Sequence, residues 1–94
     1  MNPVKAPQEI TVEFYGVPRQ RAGCAEITVP PGGVAEVLLA VESQCPGLKG
    51  LTTRDGRLSP QYLVSLDGEE FVTDLRRLLK PGSRLLLLSA DAGG

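Results

Sequence analysis

The sequence has no histidine and no tryptophan, holds only two cysteines, and draws 4% of its residues from the aromatics. Each shortage removes a class of function. Without histidine the side chain that titrates nearest neutrality is missing, which argues against an independent acid-base hydrolase and excludes a Cys-His nucleophile pair. Cys24 and Cys45 lie far apart, with no imidazole to complete a metal-ligand pattern, so they read as reduced thiols and no metal is expected. Ten Lys and Arg against eleven Asp and Glu leave a net charge of -1, without the basic excess of a nucleic-acid binder. No apolar run is long enough to span a bilayer. Residues 1–8 are polar and proline-containing and lack the apolar centre of a signal peptide. A cytoplasmic protein with no nucleic-acid or membrane partner is expected.

What is present is a chain of 94 residues, enough for one core and too few for two. Ile10, Val12 and Phe14 alternate with Thr11, Glu13 and Tyr15, the period of a strand with one buried face. Gly16-Val17-Pro18 breaks that strand, and residues 19–23 read as a polar turn. Alternation resumes over 25–29 with Ile27 and Val29 inward, so the expectation is an antiparallel hairpin with a long loop. Arg19 and Arg21 on that loop are candidate partner contacts, or simply solvated. After Pro30-Pro31-Gly32-Gly33, the positions of Val34, Val37, Leu38 and Val41 fit one apolar face of a helix, with Glu36 and Glu42 outside. Cys45-Pro46-Gly47 ends it. Gly32-Gly33 lacks the spaced glycines and the lysine of a nucleotide-binding loop. Residues 48–59 are mostly polar, with a turn at Asp55-Gly56. A strand follows with Tyr62, Val64 and Leu66 on one face and Leu63 and Ser65 on the other. Asp67-Gly68 turns into a short strand at 70–72, and residues 74–80 read as a short helical turn stopped by Pro81-Gly82.

The chain then enters Leu85-Leu86-Leu87-Leu88, too short for a membrane span and too apolar for an exposed strand. It should lie mid-sheet, covered on both faces. If it pairs beside residues 10–15 and parallel to them, the connectivity is that of a β-grasp, or ubiquitin-like, α+β fold: a mixed sheet of four to five strands around one main helix. The expected organisation is a disordered segment over 1–9, the β-grasp domain over 10–90, and a flexible tail over 91–94. Ala92, Gly93 and Gly94 carry almost no side chain, so a partner could enclose this backbone in a narrow channel. At 3.3 to 3.6 Å per extended residue, Asp91 to Gly94 would reach about 13 Å, into another protein's active site. Small residues also suit a frayed end, so the diglycine gains weight only from what precedes it.

Phe14-Tyr15-Gly16 followed by Arg19-Gln20-Arg21-Ala22-Gly23 resembles the aromatic first strand and Arg-x-x-Ala-Gly hairpin of the MoaD/ThiS sulfur-carrier family, which includes the small subunit of molybdopterin synthase. Leu66-Asp67-Gly68, the approach Leu79-Lys80-Pro81-Gly82-Ser83-Arg84 and the ending Gly93-Gly94 resemble its later turns and terminus. The similarity runs from Ile10 almost to the end. Ser83 stands where the family often has an acidic residue, and Ser89-Ala90-Asp91 is more polar than the family's usual approach to its diglycine. These departures leave the fold intact and bear on partner and pathway.

The resemblance implies a protein-bound sulfur donor rather than an enzyme, or the small subunit of a sulfurtransferase such as molybdopterin synthase. Its working group would be the Gly94 carboxylate, with no bound cofactor. An E1-like adenylating enzyme would use ATP to make an acyl-adenylate, and a sulfur nucleophile would displace AMP to leave a thiocarboxylate. The acceptor would be a synthase resembling the molybdopterin synthase large subunit or thiazole synthase. Asp91, Ala92 and Gly93 would thread into partners. Docking is expected on the sheet face away from the helix, through Tyr15, Leu63 and alternate leucines of the last strand, with a basic margin from Arg76, Arg77, Lys80 or Arg84. Two alternatives stand beside this reading: a ubiquitin-like modifier joined to target lysines, and a β-grasp interaction module with an inert tail.

Overall fold

A computed structural model describes residues 9–90. The expected tail over 91–94, and all of the expected N-terminal segment except Glu9, lie outside the described residues.

Alternation of apolar and polar residues gives β1 (Ile10–Phe14), with Ile10, Val12 and Phe14 buried and Thr11 and Glu13 half-exposed. The predicted polar turn after it is instead a short helix, α1 (Val17–Ala22). Gly16 and Gly23 bracket it with φ of 64° and 80°, a region costly for side-chain-bearing residues. Pro18 sits in its first turn, and the Gly23 N–H closes it on the Arg19 carbonyl at 3.0 Å. Six residues are too few to show helical periodicity, so only these end signals could have marked it. β2 (Glu26–Val29) then pairs antiparallel with β1, as expected for the hairpin. Val29 is fully buried, whereas Ile27 is only partly so.

α2 (Val34–Gln44) buries Val34, Val37, Leu38 and Val41, the predicted apolar face. Glu36 is exposed and accepts the Gly33 N–H at 2.7 Å, capping the helix start. Glu42 is not wholly outside: it is half-buried and accepts both the backbone N–H (2.8 Å) and the hydroxyl (3.3 Å) of Thr52. A 3-10 turn over Pro46–Leu48 follows, and Leu48 and Leu51 are both completely buried. The polar-looking stretch 48–59 therefore contributes to the core through those two leucines.

β3 (Tyr62–Leu66), β4 (Glu70–Phe71) and β5 (Arg84–Ser89) complete a five-stranded sheet in the order β2-β1-β5-β3-β4. β5 is central, parallel to β1 and antiparallel to β3. The expectation that its leucines are covered on both faces is corrected. Leu85 and Leu87 are 1% exposed beneath α2, while Leu86 and Leu88 are half-buried on the other face, where no helix lies. A central position satisfies the strand's backbone on both edges, but one long helix covers one face only.

Residues 74–80 do not form the predicted helical turn. Their backbone is engaged elsewhere: the carbonyls of Arg77 and Leu75 accept the N–H groups of Val34 and Ala35, each at 2.9 Å. Those donors are among the first of α2 and have no partner within the helix. The strap thus supplies the helix N-terminus while seating Leu75 and Leu79 in the core.

Removing the buried leucines should hurt far more than removing their neighbours in the same strand. In denaturant unfolding, Leu87→Ala is expected to lose about 2 to 5 kcal/mol, the range for a core leucine that leaves a cavity. Leu86→Ala, on the half-buried face, should lose less than half as much, with circular dichroism unchanged for both.

Candidate functional site

Register fixes what the open face of the sheet presents, because directly paired residues point to the same side. Leu63 pairs with Leu88 and Ser65 with Leu86 on one flank of β5, and Glu13 pairs with Leu86 on the other. Tyr15 continues the parallel pairing one residue beyond β1, its N–H bonded to the Leu87 carbonyl at 3.0 Å. A row of Tyr15, Leu88 and Leu63 therefore crosses the sheet, and Leu86 extends it toward Phe71, which pairs with Ser65. Tyr15 is 41% exposed, Leu63 37% and Phe71 63%. Apolar side chains this open, lying side by side on an uncovered sheet, form a surface suited to a partner.

The sequence prediction placed Tyr15, Leu63 and alternate leucines on one face, and the register brings them together. It missed Phe71. The deciding feature is the length of the turn: Leu66 pairs with Glu70 across three residues, 67–69, which sets Phe71 opposite Ser65.

The basic margin is arranged differently from the expectation of free cations. Arg84 shares the face, but its guanidinium contacts the Glu13 carboxylate and lies 3.8 Å from Glu26. Glu13 also accepts the Tyr15 hydroxyl at 2.6 Å, so an ion cluster adjoins the apolar row. Arg76 is not on the sheet; its guanidinium and backbone N–H both bond Asp74, at 3.1 and 3.0 Å. It borders a groove of about 710 Å³ that also takes in Leu63 and Phe71. Arg77 lies apart from the apolar row and pairs with Glu70 on β4. These pairs hold the carboxyls of Glu70 and Asp74 below their ordinary range, each mainly through the arginine hydrogen bond. All of them are solvent-exposed, so they contribute little stability. Arg21, read as a possible partner contact, donates to the Tyr62 hydroxyl at 2.6 Å and ties α1 to β3.

β5 ends beside this tie. Val17, Arg21, Gln61, Tyr62, Ser89 and Ala90 line a groove of about 550 Å³, and the Ala90 N–H is held by the Gln61 carbonyl at 2.8 Å. Residues 91–94, which carry the Asp91, Ala92, Gly93 and Gly94 expectations, continue from this corner and lie outside the described residues. Among the described residues no cluster of His, Cys, Asp or Glu could hold a metal, and no helix is long and apolar enough to cross a membrane.

Compared with solved structures, the chain superposes on SAMP1 from Haloferax volcanii with a TM-score of 0.78 at 22% identity, covering 92% of this chain and 99% of that one. It matches a chain of the BexX/CysO complex from Amycolatopsis orientalis with a TM-score of 0.75 at 27% identity, over 90% and 99% of the two chains. A putative molybdopterin converting factor subunit 1 from Pyrococcus furiosus gives 0.70 at 15% identity, over 86% and 95%. The fold is that of the ubiquitin-like MoaD/ThiS sulfur carriers. No family model matches the sequence, and no curated relative does. The likeness is therefore one of backbone fold, with few identical residues.

The Arg77 contact makes a direct prediction for Glu70. In an NMR titration its carboxyl should ionise below the ordinary glutamate range, and Arg77→Gln should return it to that range. The sign follows from the lowered folded-state pKa: the small stabilisation is present above the unfolded-state pKa and fades as pH falls through the folded one. An unchanged Glu70 titration in Arg77→Gln would contradict the pairing.

Proposed function

We propose that the chain is a protein-bound sulfur carrier whose C-terminal Gly94 carboxylate is adenylated by an E1-like enzyme and converted to a thiocarboxylate. The observation that carries this reading is the open apolar row of Tyr15, Leu88 and Leu63, which crosses the sheet over β5, the strand that precedes residues 91–94. A partner seated on that row is adjacent to the end of β5, so recognition of the body and delivery of the tail are one event.

The chemistry asks little of the carrier. A carboxylate is a poor electrophile because its charge is delocalised and oxide is a poor leaving group. Adenylation with ATP by the partner replaces that leaving group with AMP. Attack by hydrosulfide then expels AMP and leaves the thiocarboxylate directly. If the nucleophile is a persulfide, the acyl disulfide it forms is cleaved by a second thiol, which departs as a disulfide with the former carrier and supplies the two electrons. The later donation is to a cofactor-forming synthase of the molybdopterin or thiazole type. Asp91, Ala92 and Gly93 are proposed to occupy the partner's channel, the body to remain cytoplasmic, and the chain to bind no cofactor of its own.

A second reading shares the activation step. The name "small archaeal modifier protein 1", carried by a structure from Methanosarcina acetivorans that this fold matches at 24% identity with a TM-score of 0.76, supports a modifier attached to target lysines. The two part at the product: a free terminus heavier by about 16 Da for oxygen replaced by sulfur, or lysine-linked conjugates of higher mass. An inert interaction module predicts that deleting Gly93 and Gly94 changes nothing.

With the cognate adenylating enzyme and ATP, the purified chain should release pyrophosphate, and deletion of Gly93 and Gly94 should abolish that. Leu88→Asp or Leu63→Asp should lower the rate at subsaturating carrier by at least about tenfold, the effect of losing roughly 1.4 kcal/mol of binding, with the fold retained. Arg76→Glu tests the proposed basic margin separately: Asp74 already offsets most of the Arg76 charge, so the reversal, which leaves two carboxylates side by side, is expected to slow adenylation at low salt by less than Leu88→Asp does. Adenylation that persists without the diglycine would overturn the reading.

A further inference from the structure

The two cysteines, 21 positions apart in sequence, meet at one corner of the fold. Cys24 follows Gly23, the residue that closes α1, and Cys45 is the C-cap of α2. The backbone brings these ends together independently of the thiols. A Cβ added to Gly47 would lie 2.1 Å from the Arg21 carbonyl oxygen, so the turn after α2 is pressed against the last turn of α1. At this junction the two thiols are neighbours, and Cys24 acts on the ionisation of Cys45. Cys24 is exposed and Cys45 is 3% exposed. This is an unequal pair: one cysteine open to reagents and its neighbour sheltered from them.

We propose that Cys24 and Cys45 form a reversible intramolecular disulfide, making this corner a redox modification site that reacts with small soluble disulfides of the glutathione type. The Cys24 thiolate attacks the reagent's S–S bond, which breaks and releases one reagent thiolate. The Cys45 thiol then loses its proton to solvent, and its sulfur attacks the Cys24 sulfur of the mixed disulfide. The second reagent thiolate leaves. Two protein thiols are oxidised by two electrons and one reagent disulfide is reduced to two thiols. Burial, with a further contribution from neighbouring Cys24, raises the Cys45 pKa and keeps that sulfur a neutral thiol until the mixed disulfide forms in front of it. Gly23, in the left-handed region at φ 80°, precedes the exposed cysteine, so the turn that must tighten is a glycine-containing loop rather than a core strand. The bond would fasten the end of α1 to the end of α2. The opposite end of α1 supplies Val17 to the groove where β5 ends.

The sequence makes the test simple, because no Lys or Arg lies between Arg21 and Lys49, so both cysteines fall in one tryptic peptide. The reduced full-length chain is equilibrated with mixtures of reduced and oxidised glutathione, quenched in acid and digested. Peptide 22–49 should become lighter by about 2 Da, and cleavage at Glu26, Glu36 and Glu42 should then give a linked pair of fragments. The folded chain should retain the bond at reduced-glutathione concentrations at least about threefold higher than the isolated peptide 22–49 tolerates, since folding holds the sulfurs together; this corresponds to roughly tenfold in the equilibrium constant. In Cys24→Ala, Cys45 should resist glutathionylation until denaturant is added. A stable glutathione adduct on Cys24 with Cys45 still reduced would overturn the proposal. So would equal stability of the bond in the folded chain and the peptide, or direct modification of Cys45 in the folded Cys24→Ala variant. None of these readouts depends on Gly94 or an adenylating enzyme, so the outcome is independent of the carrier reading.

Discussion

The double pairing of β5 is the constraint on which the rest of the molecule depends. Parallel bonds to β1 on one edge and antiparallel bonds to β3 on the other satisfy the backbone of an apolar strand that could not stand alone in water. That position fixes which leucines point where. Leu85 and Leu87 face α2 and close the core, leaving Leu86 and Leu88 for the open side. It also fixes where the strand ends. Running parallel to β1, β5 finishes beside the start of α1, and running antiparallel to β3, it brings Ser89 opposite Tyr62. The open apolar row and the end of β5 are consequences of one register.

The helix side depends on a second set of backbone bonds. α2 has no Ser, Thr, Asp or Asn at its start, since Gly33 occupies the cap position. Its first donors are met by carbonyls from residues 75 and 77 and by the Glu36 carboxylate. This explains why a Leu- and Arg-rich stretch with good helix formers remains a strap. A helix there would turn its carbonyls inward upon itself and leave the start of α2 unsatisfied. At the other end of α2, Glu42 holds Thr52 in the same manner, and Leu48 and Leu51 seal the core below it.

These particulars show how far the sequence could be read. Strands and the long helix were legible because their apolar residues recur with periods that survive in one dimension: Ile10, Val12 and Phe14 at two, Val34, Val37, Leu38 and Val41 at three to four. The strap was not legible, because the bonds that decide its shape go to residues some forty positions earlier. α1 was too short for a period, and the hairpin pattern around it invited a loop. On the open face, Tyr15 and Leu63 followed from alternation alone. Phe71 needed the β3-β4 pairing, and the carboxylate partners of Arg76, Arg77 and Arg84 needed side-chain placement that no linear pattern carries.

Those partners change the physics proposed for docking. Arginines with nothing nearby would project a positive field and steer an acidic surface toward the sheet from a distance. Here Arg84 lies against Glu13 with Glu26 close by, Arg77 against Glu70 and Arg76 against Asp74, so each charge is largely cancelled within a few ångströms. Beyond a Debye length of about 8 Å at physiological salt, little of that field survives. What remains attractive at contact is the apolar row, whose burial is insensitive to ionic strength. At roughly 25 cal/mol per Å² of apolar surface removed from water, the exposed parts of a few such side chains amount to a few kcal/mol before the costs of association. That scale suits an interface that forms, acts on a tail and separates, as the proposed carrier role requires. The ion cluster around Glu13 then acts at short range, on orientation: a partner that breaks the Arg84 contact must supply its own carboxylate, and one that leaves it intact must fit around it. Specificity for a partner would rest on that local fit more than on net charge, which at -1 is too small to select anything.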